Sequence, residues 1–210
     1  MNICKVNFCK NKYWAKGYCS RHYDHIRLYG KILKRTRLTP NEFTIERNIC
    51  RIVLYNINHV AIAETIIDTK NVEKCKKYKW WLSQGYVKTT RNGNCLFLHK
   101  FICNPPKNRL TDHIDRNMLN NLESNLRIAT KSQNGANSKL QKNNTSGYRG
   151  VHWDKRNKRW VASVRNNYKK FYLGRFIDKH EAAFVYNKAA REFFGEFVTL
   201  NEVEELKEHI

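Results

Sequence analysis

The chain has 210 residues and a formal net charge of +22, from 40 Lys and Arg against 18 Asp and Glu, with a pI near 9.9. That length holds one large domain or two to three small ones. The positive surplus is spread over every region and points to a partner with many phosphates, whose neutralisation releases condensed counterions; no apolar run approaches the ~20 residues that span a bilayer, so a membrane partner is not expected.

The first ten residues, "MNICKVNFCK", carry neither the apolar core of a signal peptide nor the Arg/Ser-rich amphipathic pattern of a transit peptide. An intracellular, non-secreted protein is expected, and its seven cysteines, an odd number, are then thiols or metal ligands rather than disulfides. Cys4, Cys9, Cys19 and His22 follow the spacing C-x4-C-x9-C-x2-H. Three soft thiolates and one imidazole suit tetrahedral Zn2+. A segment of about 35 residues cannot bury enough apolar surface to fold alone, so a structural zinc is expected. Gly17 shapes the turn before Cys19; His25 competes for the fourth position but ranks below His22 on spacing. The basic run "RLYGKILKRTR", Arg27 to Arg37, reads as a linker or as an arm tracking a nucleic-acid backbone, with Pro40 at its boundary.

The middle of the chain reads as a scaffold of strands. "CRIVLYNINHVAIAETIID" predicts a two-stranded hairpin broken at Asn56 and Asn58. "NVEKCKKYKW" predicts a short helix with Asn71 as N-cap. "WWLSQGYVKTTRNGNCLFLHKFIC" predicts two strands around Asn92-Gly93, because a type I′ turn needs positive φ at both central residues. Trp80 and Trp81 are expected in the core, and His99 as a packed histidine rather than a DNA contact.

"TDHIDRNMLNNLESNLRIATKSQN", Thr111 to Asn134, crowds asparagines behind an Asp-His pair. The predicted order is strand ("RLTDHID"), polar loop, strand ("LRIAT") and a short helix with Thr130 at its N-cap. Phosphodiester hydrolysis needs a base that works near neutral pH, which histidine is, and a hard cation to hold charge on the phosphate oxygens. Mg2+ takes one or two protein oxygens; Asp112 offers a carboxylate and Asn134 an amide carbonyl, leaving His113 to work on water. Strand neighbours face opposite ways, so the two roles require a frayed or bulged strand end. Asn117, Asn120 and Asn121 read as turn chemistry.

With Asn125 twelve residues and Asn134 twenty-one residues after His113, this stretch resembles the HNH endonuclease motif. It is similar in particular to the homing branch of that family, found in bacteriophages and group I introns. "DTKNVEKCKKYKW", "GYVKTT" and "LHKFI" extend the resemblance over roughly Glu46 to Asn137. It implies a ββα-metal (His-Me finger) core. His113 would be the general base, Asp112 and Asn134 the ligands of Mg2+ (or Mn2+), and Asn125 the middle asparagine that braces the loop. Asn137 would support the helix or touch phosphate.

After a polar linker, "YRGVHWDKRNKRWVASVRNNYKKFYLGRF" predicts three strands, with turns at Asp154–Lys158 and Asn166–Asn167. "EAAFVYNKAAREFFG" predicts a helix, with Phe184, Tyr186 and Phe193 in the core. "YRGV", "RWVASV", "YLGRF" and the closing "TLN" resemble an AP2 domain over about Gly147 to Asn201. That resemblance implies a sheet laid in the DNA major groove. Arg149, His152, Arg165, Lys170 and Tyr172 fall at its contact positions, and Trp153 and Arg156 in the same first hairpin. This hairpin is one residue longer than in plant transcription factors, so base preference does not carry over.

The chain is thus read as a multi-domain α+β protein. Residues 1–38 form a zinc module with a basic arm, 41–137 the nuclease domain with its β-rich scaffold, 138–146 a linker, 147–201 the AP2-like DNA reader and 202–210 an acidic tail. The expected function is metal-dependent cleavage of double-stranded DNA by a monomer, nicking one strand to leave 5′-phosphate and 3′-hydroxyl. If a bacteriophage encodes it, the compartment is the cytoplasm of a bacterial host. Two rivals stay open: a non-catalytic AP2-type regulator on a decayed HNH scaffold, and an RNA-binding protein, since positive charge with aromatics does not separate the two polymers.

Overall fold

A computed structural model describes residues 3–6, 9–32 and 39–203. Part of the basic arm and most of the acidic tail lie outside the described residues. The fold is α+β, with three three-stranded antiparallel sheets and a two-stranded hairpin.

The N-terminal segment is held by two isolated bridges, Ile3 with Lys12 and Ala15 with Tyr18, and by one helix, α1 (Ser20–Tyr29). Gly30 ends α1 in the left-handed region at φ 68°. The first sheet is β1 (Phe43–Glu46), β2 (Ile49–Tyr55) and β3 (Ala61–Asp68). β2 buries every second residue, Cys50, Ile52 and Leu54, as a strand with one face on the core must. The expected hairpin is β2–β3; the edge strand β1 is additional.

A short helix, α2 (Val72–Lys76), follows as expected. Asn71 does precede it, but its side chain makes no cap. Its amide donates instead to Glu123 Oε1 at 2.9 Å. Next comes a meander of β4 (Trp81–Ser83), β5 (Tyr86–Arg91) and β6 (Asn94–Phe97), turning at Asn92 and Gly93 with φ 49° and 77°. "LHKFIC" is a helix, α3 (Leu98–Cys103), where no helix was expected. A six-residue apolar run does not distinguish strand from helix by periodicity. Here the helix buries Leu98 and Ile102 in the core of Ile52, Leu54, Ile67 and Trp80. Asn41 joins the two sheets, donating to the Val53 and Trp80 carbonyls and accepting from the Trp80 amide.

The next hairpin is β7 (Leu110–His113) with β8 (Leu126–Ala129), followed by α4 (Lys131–Ala136). Thr130 caps α4, as the sequence predicts, and Gln133 completes a full capping box with it. The last unit is a sheet of β9 (Val151–Asp154), β10 (Arg159–Asn166) and β11 (Lys169–Phe176), covered on one face by α5 (Lys179–Phe194). Ala182, Ala183 and Ala190 let α5 lie close on Val151, Ala162 and Val164. Phe194 is buried here, whereas Phe193 is part-exposed against Phe171. The β10–β11 turn is at Asn167 and Tyr168, one residue later than expected, with both at positive φ. Gly150 is needed on two counts: its φ is 68°, and a Cβ there would run into the Tyr186 ring and the Ser163 carbonyl.

Candidate functional site

β7 ends on Asp112 and His113, both buried. The ladder is regular, with Asp112 opposite Arg127 and His113 opposite Leu126, so no bulge is needed to accommodate the pair. Their partners lie on opposite sides of the hairpin, yet both line one cavity of about 560 Å³, with His99, Asn134 and Asn137. Lys100, Arg116 and Lys139 add positive charge to its lining.

His113 is held by the loop between β7 and β8, and that loop is held by the edge of β3. Ile66 donates to the Leu119 carbonyl and accepts from the Asn121 amide, while Thr65 Oγ1 donates to the Leu119 carbonyl. This places Asn121, 1% exposed, against the imidazole, with Oδ1 3.3 Å from His113 Nε2. The Asn121 Nδ2 group is committed to Thr65 Oγ1 and the Met118 carbonyl. Its oxygen therefore faces the ring, so Nε2 carries the proton and Nδ1 is the basic nitrogen. Asn121 thus closes the loop through Met118, as a turn residue does, and also meets His113; the sequence carried no signal for the second role, because its partner Thr65 lies 56 residues away.

Asn125 braces the loop as expected. Its amide donates to Asp115 Oδ1 and the Asn120 carbonyl, and its Oδ1 accepts from the Asp115 amide. Asn117 and Asn120 do act as turn residues, accepting from the Leu119 and Leu122 amides. Burial pushes the His113 pKa down, against the opposing influence of Asn121, Asp115 and Asp112.

Asp112 is satisfied from two sides. Arg127 reaches Oδ2 through Nε at 3.0 Å and Nη2 at 2.9 Å. Asn137 Nδ2 donates to both carboxylate oxygens and to the His113 carbonyl. Asn137 is buried and serves Asp112 rather than lying open to a phosphate. Removing one partner of such a buried pair costs about 3–5 kcal/mol. Arg127 carried no signal in the sequence, being one of forty basic residues. Asn134 lines the cavity from α4, and its side chain has no hydrogen-bond partner among the described residues. Carboxylate and amide oxygens on one cavity are a donor set that suits a hard divalent cation.

His99 packs at 5.1 Å between ring centroids from His113 and also against Tyr86 and Phe97. Burial first, then the charges of His113 and Lys100, pushes its pKa down to about 3. The unfolded chain, with an ordinary histidine pKa near 6.5, takes up that proton first. The stability it contributes is therefore complete above about pH 6.5 and is lost as pH falls towards 3. His99→Phe is expected to raise the melting temperature at pH 5 while leaving it unchanged at pH 8. Parallel melting curves for both proteins check this; an equal shift at both pH values would contradict it.

At the N-terminus the sulfur, nitrogen and sulfur atoms of Cys4, His22 and Cys19 are adjacent, with Cys4–His22 at 3.2 Å, Cys19–His22 at 3.5 Å and Cys9–Cys19 at 3.9 Å. All four ligand atoms lie within 4.8 Å of one another. A tetrahedral zinc places such ligands about 3.5–3.8 Å apart, so the set fits the ion. His22, and not His25, completes the set; the His25 ring packs edge-on against His22. Burial pushes the Cys4 thiol up, but hydrogen bonds from the Cys19 and Val6 backbone and from His22 outweigh it and bring it to about 6.

In the C-terminal unit, strand alternation sorts the residues expected to touch DNA. His152, Arg165, Lys170 and Tyr172 share the face turned away from α5. Arg159 and Arg175 join them there: Arg159 by its even spacing from Arg165 along β10, a signal present in the sequence, and Arg175 by pairing with Val161 beyond an irregularity in the ladder, which the sequence does not show. Trp153 lies on the other face, paired with Trp160 at 5.0 Å. Arg156 is in the β9–β10 turn, where its amide donates to Asp154. Arg149 is half-buried and donates to the Ser138 carbonyl, holding the linker. Asn187 and Asn201 exchange two hydrogen bonds, and Asn201 also clasps both backbone groups of Arg149.

The described residues thus define an α+β protein whose cavity, bearing Asp112, His113 and Asn134, is built on a strand, loop, strand and helix. No family model matches the chain, and no solved structure matches it. A protein of Acanthamoeba polyphaga mimivirus named as an uncharacterized HNH endonuclease is 31% identical over 180 residues, 83% of this chain and 92% of the relative. Protein 3.8 of Escherichia phage T7 is 36% identical over 92 residues, 44% of this chain and 75% of that protein. The chain belongs to the HNH endonuclease family. No helix among the described residues is long and apolar enough to cross a membrane.

Proposed function

We propose that this protein is a homing-type endonuclease that hydrolyses double-stranded DNA at a specific site and nicks one strand as a monomer. The observation that carries this reading is a buried Asp112-His113 pair sharing a basic cavity with Asn134, in a chain of the HNH family. A phosphodiester enters the cavity, and Lys100, Arg116 and Lys139 favour its charge. His113 Nδ1 takes the proton of the attacking water, Asn121 fixes the tautomer that leaves Nδ1 free, and Asn125 closes the loop behind it. Asp112 and Asn134 would hold Mg2+ or Mn2+, which when bound stabilises negative charge on the phosphate and the departing 3′-oxygen.

Cys4, Cys9, Cys19 and His22 would hold a structural zinc. Residues 147–201 are read as an AP2-like unit that lays the His152, Arg165, Lys170 and Tyr172 face on the duplex, with Arg159 and Arg175 beside them. The domain limits 1–38, 41–137, 138–146, 147–201 and 202–210 belong to the same proposal, and the homing and AP2 readings rest on the motif resemblances.

The test is incubation of supercoiled plasmids carrying candidate target sequences with the full-length chain and Mg2+ or Mn2+. Open-circular product is expected. Plasmid that stays supercoiled across metals and targets would leave the DNA-binding regulator as the better reading.

A further inference from the structure

Arg127 links the candidate site to the C-terminal unit. Its side chain is 12% exposed and that of Asp112 7%. Two of its N–H groups are spent on Asp112 Oδ2. Its other bonds leave the hairpin: Nη1 donates to the Glu196 carbonyl at 2.8 Å and Nη2 to the Phe197 carbonyl at 3.4 Å. The guanidinium lies 4.2 Å from the centre of the Phe197 ring. A second tie runs beside the first. Thr199 Oγ1 donates to Asn137 Oδ1 at 3.0 Å, which orients the amide whose nitrogen holds Asp112, and the Thr199 amide donates to the Ala136 carbonyl. Both side chains that fix Asp112 are themselves fixed by residues 196–199.

The two carboxylate oxygens are used unequally. Oδ2 receives both Arg127 nitrogens and Asn137, whereas Oδ1 receives only Asn137. An ionised carboxylate offers about four acceptor positions, so spare capacity is on Oδ1. A guanidinium fork fixes which oxygen is occupied in a way a single ammonium does not.

We propose that Arg127 is a positioning residue for Asp112, and that the segment around Glu196–Thr199 completes the nuclease centre by locking Arg127 and Asn137 from the C-terminal side. The lock leaves Asp112 Oδ1 available to a divalent cation, a role that rests on the reading of Asp112 as a metal ligand. The C-terminal unit is then part of the site itself and not only a reader joined to it.

The test uses the full-length chain with Arg127→Lys, which keeps the charge and loses the fork, and Phe197→Ala, which removes the ring from the far side. Binding of Mn2+ alone is followed by electron paramagnetic resonance, with Asp112→Ala identifying the signal from this site. Duplex affinity and single-turnover cleavage are measured in parallel. Both variants are expected to bind Mn2+ about tenfold more weakly and to cleave more slowly at unchanged duplex affinity. The double variant is expected to lose no more than Arg127→Lys, because both act through one guanidinium. Unchanged Mn2+ binding in both variants, additive losses, or duplex affinity falling in step with cleavage would each overturn the proposal. Should Arg127→Lys fail to fold, Phe197→Ala and Thr199→Val carry the same comparison. A wild type that cuts no DNA counts against the nuclease reading, while the Mn2+ comparison still decides the lock.

Discussion

His113→Ala is expected to slow single-turnover cleavage by about 10²–10⁴-fold while leaving duplex affinity unchanged. The imidazole is buried on a cavity whose lining includes none of the residues read as DNA contacts, so its loss removes a base without touching them. A base must be neutral to act. Burial holds this one below the ordinary histidine range, so the acid limb of kcat/KM should fall below about pH 6.5. Asn121→Ala adds a directional check. It removes a hydrogen bond that raises the His113 pKa, so the limb should move to still lower pH. The rate should also fall, because nothing then selects the tautomer with a free Nδ1. Wild-type cleavage in His113→Ala, or an acid limb well above pH 6.5, would contradict the assignment.

Loss of the N-terminal metal is the other large expected effect. Metal analysis of purified chain should find about one zinc, and Cys19→Ala or strong chelation should remove it. Small zinc modules draw about 10–16 kcal/mol of apparent binding free energy from the ion and have little else. Among the described residues before Pro40, the buried side chains are Cys4, Cys19 and His25, far too few for a core. Hydrogen exchange over residues 9–32 should therefore rise to unprotected rates in the zinc-free chain. The β7–β8 hairpin should keep its protection, since its core of Cys50, Ile52, Trp80, Leu98 and Leu126 does not include that segment. Purified, folded chain with substantially less than one zinc would sink this reading.

Much of the fold was legible because it depends on residues a few positions apart. Thr130 is the expected N-cap, Asn92 and Gly93 make the expected turn, and the alanines of α5 face the sheet as their spacing requires. The cysteine spacing brought His22 to the three sulfurs ahead of His25. The errors have physical causes of the same kind. "LHKFIC" is too short for its period to tell strand from helix, and Asn71 found Glu123 instead of its own helix end. Trp153 was grouped with His152 by sequence neighbourhood, although strand alternation turns the two to opposite faces.

The sequence by itself determined the chemistry on offer: an Asp-His pair, amides in register behind it, a soft-ligand set at the start and a basic face near the end. Only the tertiary structure decided how those groups are held. Asn121 reaches His113 because the edge of β3 carries the loop, and Arg127 is held against Asp112 by carbonyls 69 and 70 residues further along the chain. Such contacts have no local period or capping signal. They arise when packed elements bring unsatisfied polar groups together in a buried place, where each must find a partner.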